Sequence, residues 1–203
     1  MFESSIEPTD DVINWIRVVE PDLVQDALRL RRIIDLLDRY QQQRWTRHVS
    51  AGDAISDRWE LGRRLGFGDG TSVYDSALVI GDVQAGHNTW IGPSTVLDGS
   101  GGLTIGDWCS ISAGVQIYSH DSVMQSISGG EASITRAASS IGSNVYVGPN
   151  AVIGAGVSIG SRSIIGAASL VNRDIPAGSV AFGIPAKVVE SVDDYIARRT
   201  SRP

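Results

Sequence analysis

A single cysteine, Cys109, leaves no internal disulfide to staple the chain, and one thiol in an apolar segment reads as a small core side chain. No run of about 18 apolar residues is present, which argues against a helical membrane span. Met1 to Asp11 is acidic where a secretory signal would be basic and then apolar. The net charge of -6 supplies no basic field for nucleic acid or an anionic membrane. Histidine occurs only as His48, His87 and His120, so imidazole chemistry has few possible carriers. These absences predict a cytoplasmic protein without nucleic-acid partners or membrane insertion. At 203 residues and 42% hydrophobic content, the chain suffices for one main domain plus a modest extension.

From Asp10 to about Tyr40 the apolar residues fall at helical spacing, through Val12, Ile13, Ile16 and Val19, then Leu23, Val24, Ala27, Leu28, Leu30, Ile33, Ile34, Leu36 and Leu37. Pro21 with Asp22 marks a break and a new helix start. Two helices are expected, with a third near Asp57 to Leu65. The cluster Arg29, Arg31 and Arg32 reads as the solvated face of the second helix. Around Gly66, Gly68 and Gly70 glycine interrupts the pattern and β-branched residues begin to recur.

From Val73 a six-residue period emerges. In one frame the units are VYDSAL, VIGDVQ, AGHNTW, IGPSTV and LDGSGG; after a two-residue slip come IGDWCS and ISAGVQ. The count resumes at Ile141 with IGSNVY, VGPNAV, IGAGVS, IGSRSI, IGAASL and VNRDIP. An aliphatic residue opens nearly every unit. A small or β-branched one sits four places later, including Thr89, Thr95, Cys109, Val115, Val145, Ala151, Val157, Ser163 and Ser169. Such a period builds a triangular coil. The first residue of each unit points inward, the neighbouring Gly, Asn or Asp takes the tight corner, and three units complete a turn that stacks on the next at about 4.8 Å.

Two interruptions break the regularity. Gly99 to Gly102 shifts the frame by two, and Ser119 to Ser140 leaves it for a long polar excursion carrying Gly129 and Gly130. Insertions in a solenoid become lateral loops that present binding groups. Asp98 stands 20 residues before Tyr118, one coil of 18 plus the slip, so the two interruptions are expected to lie close together.

The repeat, the string IYSHD and the C-terminal stretch IGAASLVNRDIPAGSVAFGIPAKVV together resemble the hexapeptide-repeat acyltransferases, in particular their sugar and xenobiotic O-acetyltransferase branch. The resemblance covers about residues 57 to 190. It implies a mainly β fold, a left-handed parallel β-helix, with the left hand coming from the family alone. The expected organisation is an N-terminal helical extension over 1–65, the coil over 66–190 with an external loop at 119–140, and a C-terminal helix and tail over 191–203.

The resemblance also implies acetyl-CoA as co-substrate, a homotrimer with each site between two subunits, and a histidine general base at the strand end before the loop. His120 resembles that base, and imidazole titrates in the range this chemistry needs. Asp121 and Asp98 are candidate orienting or substrate-binding carboxylates. Neighbours in extended chain point to opposite sides, so an Asp121 to His120 bond requires a local turn. Tyr118 is a candidate for lining the site. By resemblance, Tyr146 and Pro149 wall the thioester end of coenzyme A and Ala167 bonds its pantetheine arm. Arg173 and Lys187 match positions that contact its phosphates, and Pro176 lies near the adenine. Gly92 stands where several galactoside-type relatives carry an acceptor-binding asparagine, a departure that bears on the acceptor.

The texture GDV...NTWIGP...LDGSGG looks like polysaccharide-associated O-acetyltransferases, which suggests a sugar hydroxyl of a polysaccharide precursor or a glycoside as acceptor. N-acetylation of a nucleotide-linked amino sugar is the first alternative, and a non-catalytic scaffold is the second. A zinc enzyme of the carbonic-anhydrase kind would need histidines five residues apart, but position 125 is Gln125. No metal is expected.

Overall fold

In a computed structural model, residues 8–201 are described, so the expected ends of the extension and tail, 1–7 and 202–203, lie outside the described residues. Cα packing divides the chain into two compact units, with the division between Ile55 and Ser56.

The first unit is helical. Helix α1 (Pro8–Val19) ends before a 3-10 turn at Pro21–Leu23, and α2 (Val24–Trp45) follows. Proline supplies the break because it fits a first helical turn and cannot continue the preceding one. α2 stops where Thr46 turns left-handed, with φ of 51°. Ile13, Ile16, Val24, Ala27, Ile34 and Leu37 are half-buried, whereas Trp15, Val18, Ile33, Leu36 and Tyr40 remain exposed. Arg29 pairs with Asp26 on the solvated side. A short α3 (Ala51–Ile55), not expected from the periodicity, closes this unit. No helix among the described residues is long and apolar enough to cross a membrane.

The second unit opens with α4 (Arg58–Arg64), capped by Asp57, whose carboxylate accepts from the amides of Trp59 and Glu60 at 2.9 Å. The proposed 1–65 extension therefore contains a helix that clusters with the coil. Leu61 and Leu65 pack on the core, and Gly62 lies so close to the Thr71 carbonyl that a β-carbon would stand 2.4 Å from its oxygen.

The coil has three faces. The first stacks Ser72–Val73, Trp90–Ile91, Ser110–Ile111, Tyr146–Val147, Ile164–Ile165 and Ser179–Gly183. The second stacks Val96, Gln116, Val152 and Leu170 above Leu78, and the third stacks Thr104, Ser140 and Ser158 above Gln84. Register records the sequence: Ser72 pairs with Trp90, 18 residues on; Trp90 with Ser110, 20 on; and Ser110 with Tyr146, 36 on. The two larger steps are the two-residue slip and the excursion.

Most of these strands are two residues long, and their inward members close the core. Ile91, Leu97, Ile111, Ile117, Ile153 and Ile165 are all 0% exposed. The second column of small residues is buried too, and its hydroxyls are satisfied by corner carbonyls. Thr71 and Thr89 donate to the Gly86 and Gly106 oxygens at 2.6 and 2.8 Å. Cys109 takes the same place one coil on, its Sγ lying 3.1 Å from the Gly142 oxygen. Burial pushes its thiol pKa up, as befits a packing residue.

Within the excursion, α5 (Val123–Ile127) is followed by positive φ at Gly129 and Gly130. At the far end the coil is closed by an antiparallel hairpin, Ser179–Gly183 with Ala186–Ser191, and by α6 (Val192–Thr200). Asp193 of α6 is held by Arg162 at 2.6 Å. If the inward column carries stability, Ile153→Ala will cost about 2–5 kcal/mol in chemical denaturation. A change below about 1 kcal/mol would show that the coil collapses onto the space.

Candidate active site

The site forms where the second face meets the third. The pairing of Leu97 with Ile117 places Asp98 one coil beneath Tyr118, and both chains then leave regular geometry. In the lower coil the strand Val96–Ile105 carries the slip as a bulge. Gly99 approaches Asp82 so closely that a β-carbon would stand 2.2 Å from its carbonyl oxygen. Above it, Gly101 donates its N–H to the Ser119 hydroxyl at 2.8 Å. A β-carbon on Gly101 would meet the Ser119 oxygen at 2.3 Å and the Ala137 nitrogen at 2.9 Å. The bulge of one coil thus seats the base of the loop in the next.

Asp98 is 0% exposed and its carboxylate is fully engaged. Oδ1 accepts from the Ser100 amide at 2.9 Å and from its hydroxyl at 2.5 Å. Oδ2 accepts from the Ser119 amide at 2.9 Å and lies 2.5 Å from His120 Nδ1. Burial would push this carboxyl upward, but the Ser100 hydroxyl, the two amides and the His120 ring outweigh it and hold Asp98 well below the usual carboxylate range. A carboxylate only accepts, so in the neutral imidazole the proton between the pair belongs to Nδ1 and the free lone pair to Nε2. The His120 side chain is 35% exposed, open to solvent on one side and anchored on the other.

His120 and Asp121 form a two-residue antiparallel ladder with Thr135 and Arg136. Asp121 is exposed on the opposite side and accepts from the Val123 amide at 2.6 Å, at the start of α5. Of the two carboxylates considered for orienting the ring, Asp98 makes the contact and Asp121 binds the backbone where α5 begins. The Tyr118 ring stands edge-on to His120 with centroids 6.4 Å apart, and its hydroxyl donates to Gln116 at 2.8 Å. His48 pairs with Asp38 on the helical unit, and His87 is an exposed corner residue.

The residues expected to contact coenzyme A fall in three places. Tyr146, Pro149, Ala167 and Lys187 follow one edge, where the first face turns into the second. Ala168 donates to the Pro149 carbonyl at 2.8 Å, and Lys187 is paired with Phe182, which stacks above Gly166. Exposed Phe182 extends this edge and was not singled out from the sequence. Arg173 lies instead beyond Val171, two coils above the Ser119 level, on the same edge as His120. Pro176 belongs to a groove over the third face, with Thr104, Ser140, Ser158 and Asp174. No group of three or more His, Cys, Asp or Glu among the described residues is placed to hold a metal.

Residues 138–173 match the family model described as bacterial transferase hexapeptide, six repeats. Among solved structures, the coil resembles AntD, an N-acyltransferase from Bacillus cereus, in complex with dTDP and 3-hydroxybutyryl-CoA. That match has 18% identity over 67% of this chain and 80% of that one, with a TM-score of 0.56. It also resembles a galactoside acetyltransferase in complex with coenzyme A, at 24% identity over 86% of this chain and 84% of that one, with a TM-score of 0.53. At these identities the likeness is one of fold.

The low Asp98 pKa has a sign that can be tested. A carboxyl depressed on folding adds stability above its unfolded pKa of about 3.9, and that stability fades as pH falls toward the folded value. Relative to Asp98→Asn, the wild-type protein should be more stable at pH 7, with the gap in denaturation midpoint narrowing below about pH 4. A gap independent of pH would mean that ionisation of Asp98 contributes nothing.

Proposed function

We propose that this hexapeptide-repeat chain is an acyl-CoA-dependent O-acyltransferase, with acetyl-CoA as donor, a sugar hydroxyl of a polysaccharide precursor or glycoside as acceptor, and His120 as general base. The observation that carries the reading is the Asp98–His120 pair at the mouth of the excursion, with Nδ1 anchored and Nε2 available. Support for the donor comes from the match to the transferase model and from the relatives of like fold that hold coenzyme A or its acyl thioester.

In the mechanism His120 Nε2 takes the hydroxyl proton as the acceptor oxygen attacks the thioester carbonyl. The imidazolium so formed faces Asp98, which stays ionised. Collapse of the tetrahedral intermediate breaks the C–S bond, and His120 returns its proton to the thiolate, giving the ester and free coenzyme A. Backbone N–H groups stabilise the oxyanion. No covalent enzyme intermediate is required, and buried Cys109 plays no part.

The donor residues Tyr146, Pro149, Ala167 and Lys187 line one edge of the second face and His120 the other, an arrangement that suits a site shared between neighbouring copies. The outward row of that face, Leu78, Val96, Val152 and Leu170, is apolar apart from Gln116 and partly or fully exposed. Such a row favours self-association, and a homotrimer is the assembly proposed. In it Arg173 and Lys187 would meet coenzyme A phosphates, with Pro176 near the adenine, in a cytoplasmic enzyme.

A second reading is N-acylation of a nucleotide-linked amino sugar. It is favoured by the AntD complexes, one of which holds dTDP-4-amino-4,6-dideoxyglucose with coenzyme A. Assays offering both acceptor types separate the two, and turnover of the amine alone would overturn O-acylation.

His120→Ala should lower kcat by about 10²- to 10⁴-fold with coenzyme A binding retained, whereas Asp121→Asn should change kcat less than about threefold. Unchanged turnover in His120→Ala would sink the mechanism. Val152→Asp should dissociate the assembly in light scattering and abolish transfer with it. A fully active monomer would refute the shared site.

A further inference from the structure

The ladder that holds His120 brings a cation beside it. Arg136 stands directly opposite His120 across the antiparallel pair, and residues so paired project to the same side of a ribbon, with β-carbons about 5 Å apart. Arg136 is exposed and takes part in no ion pair among the described residues.

The two carboxylates closest to His120 in the fold are already committed. Asp98 is buried and saturated by Ser100, Ser119 and His120, and Asp121 accepts from the Val123 amide. Arg136 therefore presents a guanidinium with no ion-pair partner among the described residues, on the same side of the ribbon as His120. Its backbone position is fixed by the ladder below and by the close approach of Gly101, whose β-carbon would stand 3.3 Å from that of Arg136. A planar, permanently charged fork in a set position suits an oxyanion, which it can grip through two parallel hydrogen bonds.

We infer that Arg136 reads the acceptor, and that the acceptor is a sugar bearing an oxyanion, phosphate or carboxylate, within reach of the hydroxyl to be acylated. This rests on the acyltransferase reading above and narrows its substrate class.

The test is a calorimetric titration of the full-length protein already saturated with coenzyme A, so that the donor's own phosphate contacts are filled. The probes are methyl β-glucuronoside for a carboxylate, UDP-glucose for a phosphate, and methyl β-glucoside as the neutral control. At least one charged probe should bind about tenfold more tightly than the neutral one. Arg136→Gln should erase that preference and Arg136→Lys keep part of it, with coenzyme A affinity within about twofold of wild type. Which charged probe responds tells carboxylate from phosphate.

Equal or absent binding of charged and neutral probes, or a preference that survives in Arg136→Gln, overturns the inference. A parallel loss of coenzyme A affinity in the variant also overturns it, by assigning Arg136 to the donor. Failure of the wild-type protein to bind coenzyme A would sink the acyltransferase reading, and this inference with it.

Discussion

The coil depends on one constraint, that each inward aliphatic side chain must lie directly over its counterpart in the coil below. Most strands here are two residues long, and a pair of residues has too few hydrogen bonds to hold a strand alone. Each is made stable only by the columns it joins, Ile91 over Val73 and Ile111 over Ile91 on the first face, Ile117 over Leu97 and Ile153 over Ile117 on the second. The columns also fix register, because sliding a coil by one residue would turn its aliphatic outward. Whatever is attached to the coil therefore inherits a position that the whole stack defines.

That dependence decides what could be read from the sequence. A repeated unit states the same geometric rule many times, so the faces, the corners and the recurrence of small residues from Thr89 to Ser169 were legible without coordinates, while the burial of that second column was not. The helical extension was less so. Pro21 revealed the break between α1 and α2, but helical periodicity cannot say which unit a helix joins, and α4 sits with the coil. The excursion was legible as a departure and opaque within, since α5 and the Thr135–Arg136 strand have no repeat to announce them.

The site divides in the same manner. His120 stood out because it ends a regular unit. Asp98 was recognisable as a neighbour through the 20-residue offset, yet its role depended on Ser100, whose hydroxyl and amide turn a corner aspartate inward. Nothing in a linear reading separates that aspartate from a turn former. Asp121 was a natural choice by adjacency, but the ladder with Thr135 sends it to the opposite side, where its carboxylate accepts from the Val123 amide. Arg136 lies 16 positions after His120, and only the ladder makes it a neighbour.

The two interruptions are best understood as one device. A regular coil passes from the second face to the third in six residues, as Val79 to Ala85 and Ile153 to Ile159 do, and leaves nothing projecting at that corner. Stretching the passage by two residues widens one corner, and glycines let its backbone press against Asp82 below and Ser119 above. The loop of the following coil then rests on a broadened seat instead of on open solvent. Its first residues are pinned by Gly101 and by Asp98, so His120 emerges from a long insertion with its ring already oriented. A loop alone would leave the imidazole mobile, and a perfect coil would leave it without a buried carboxylate. Only a defect in one coil beneath an insertion in the next supplies both, which is why the one buried carboxylate–imidazole pair among the described residues forms where the repeat fails.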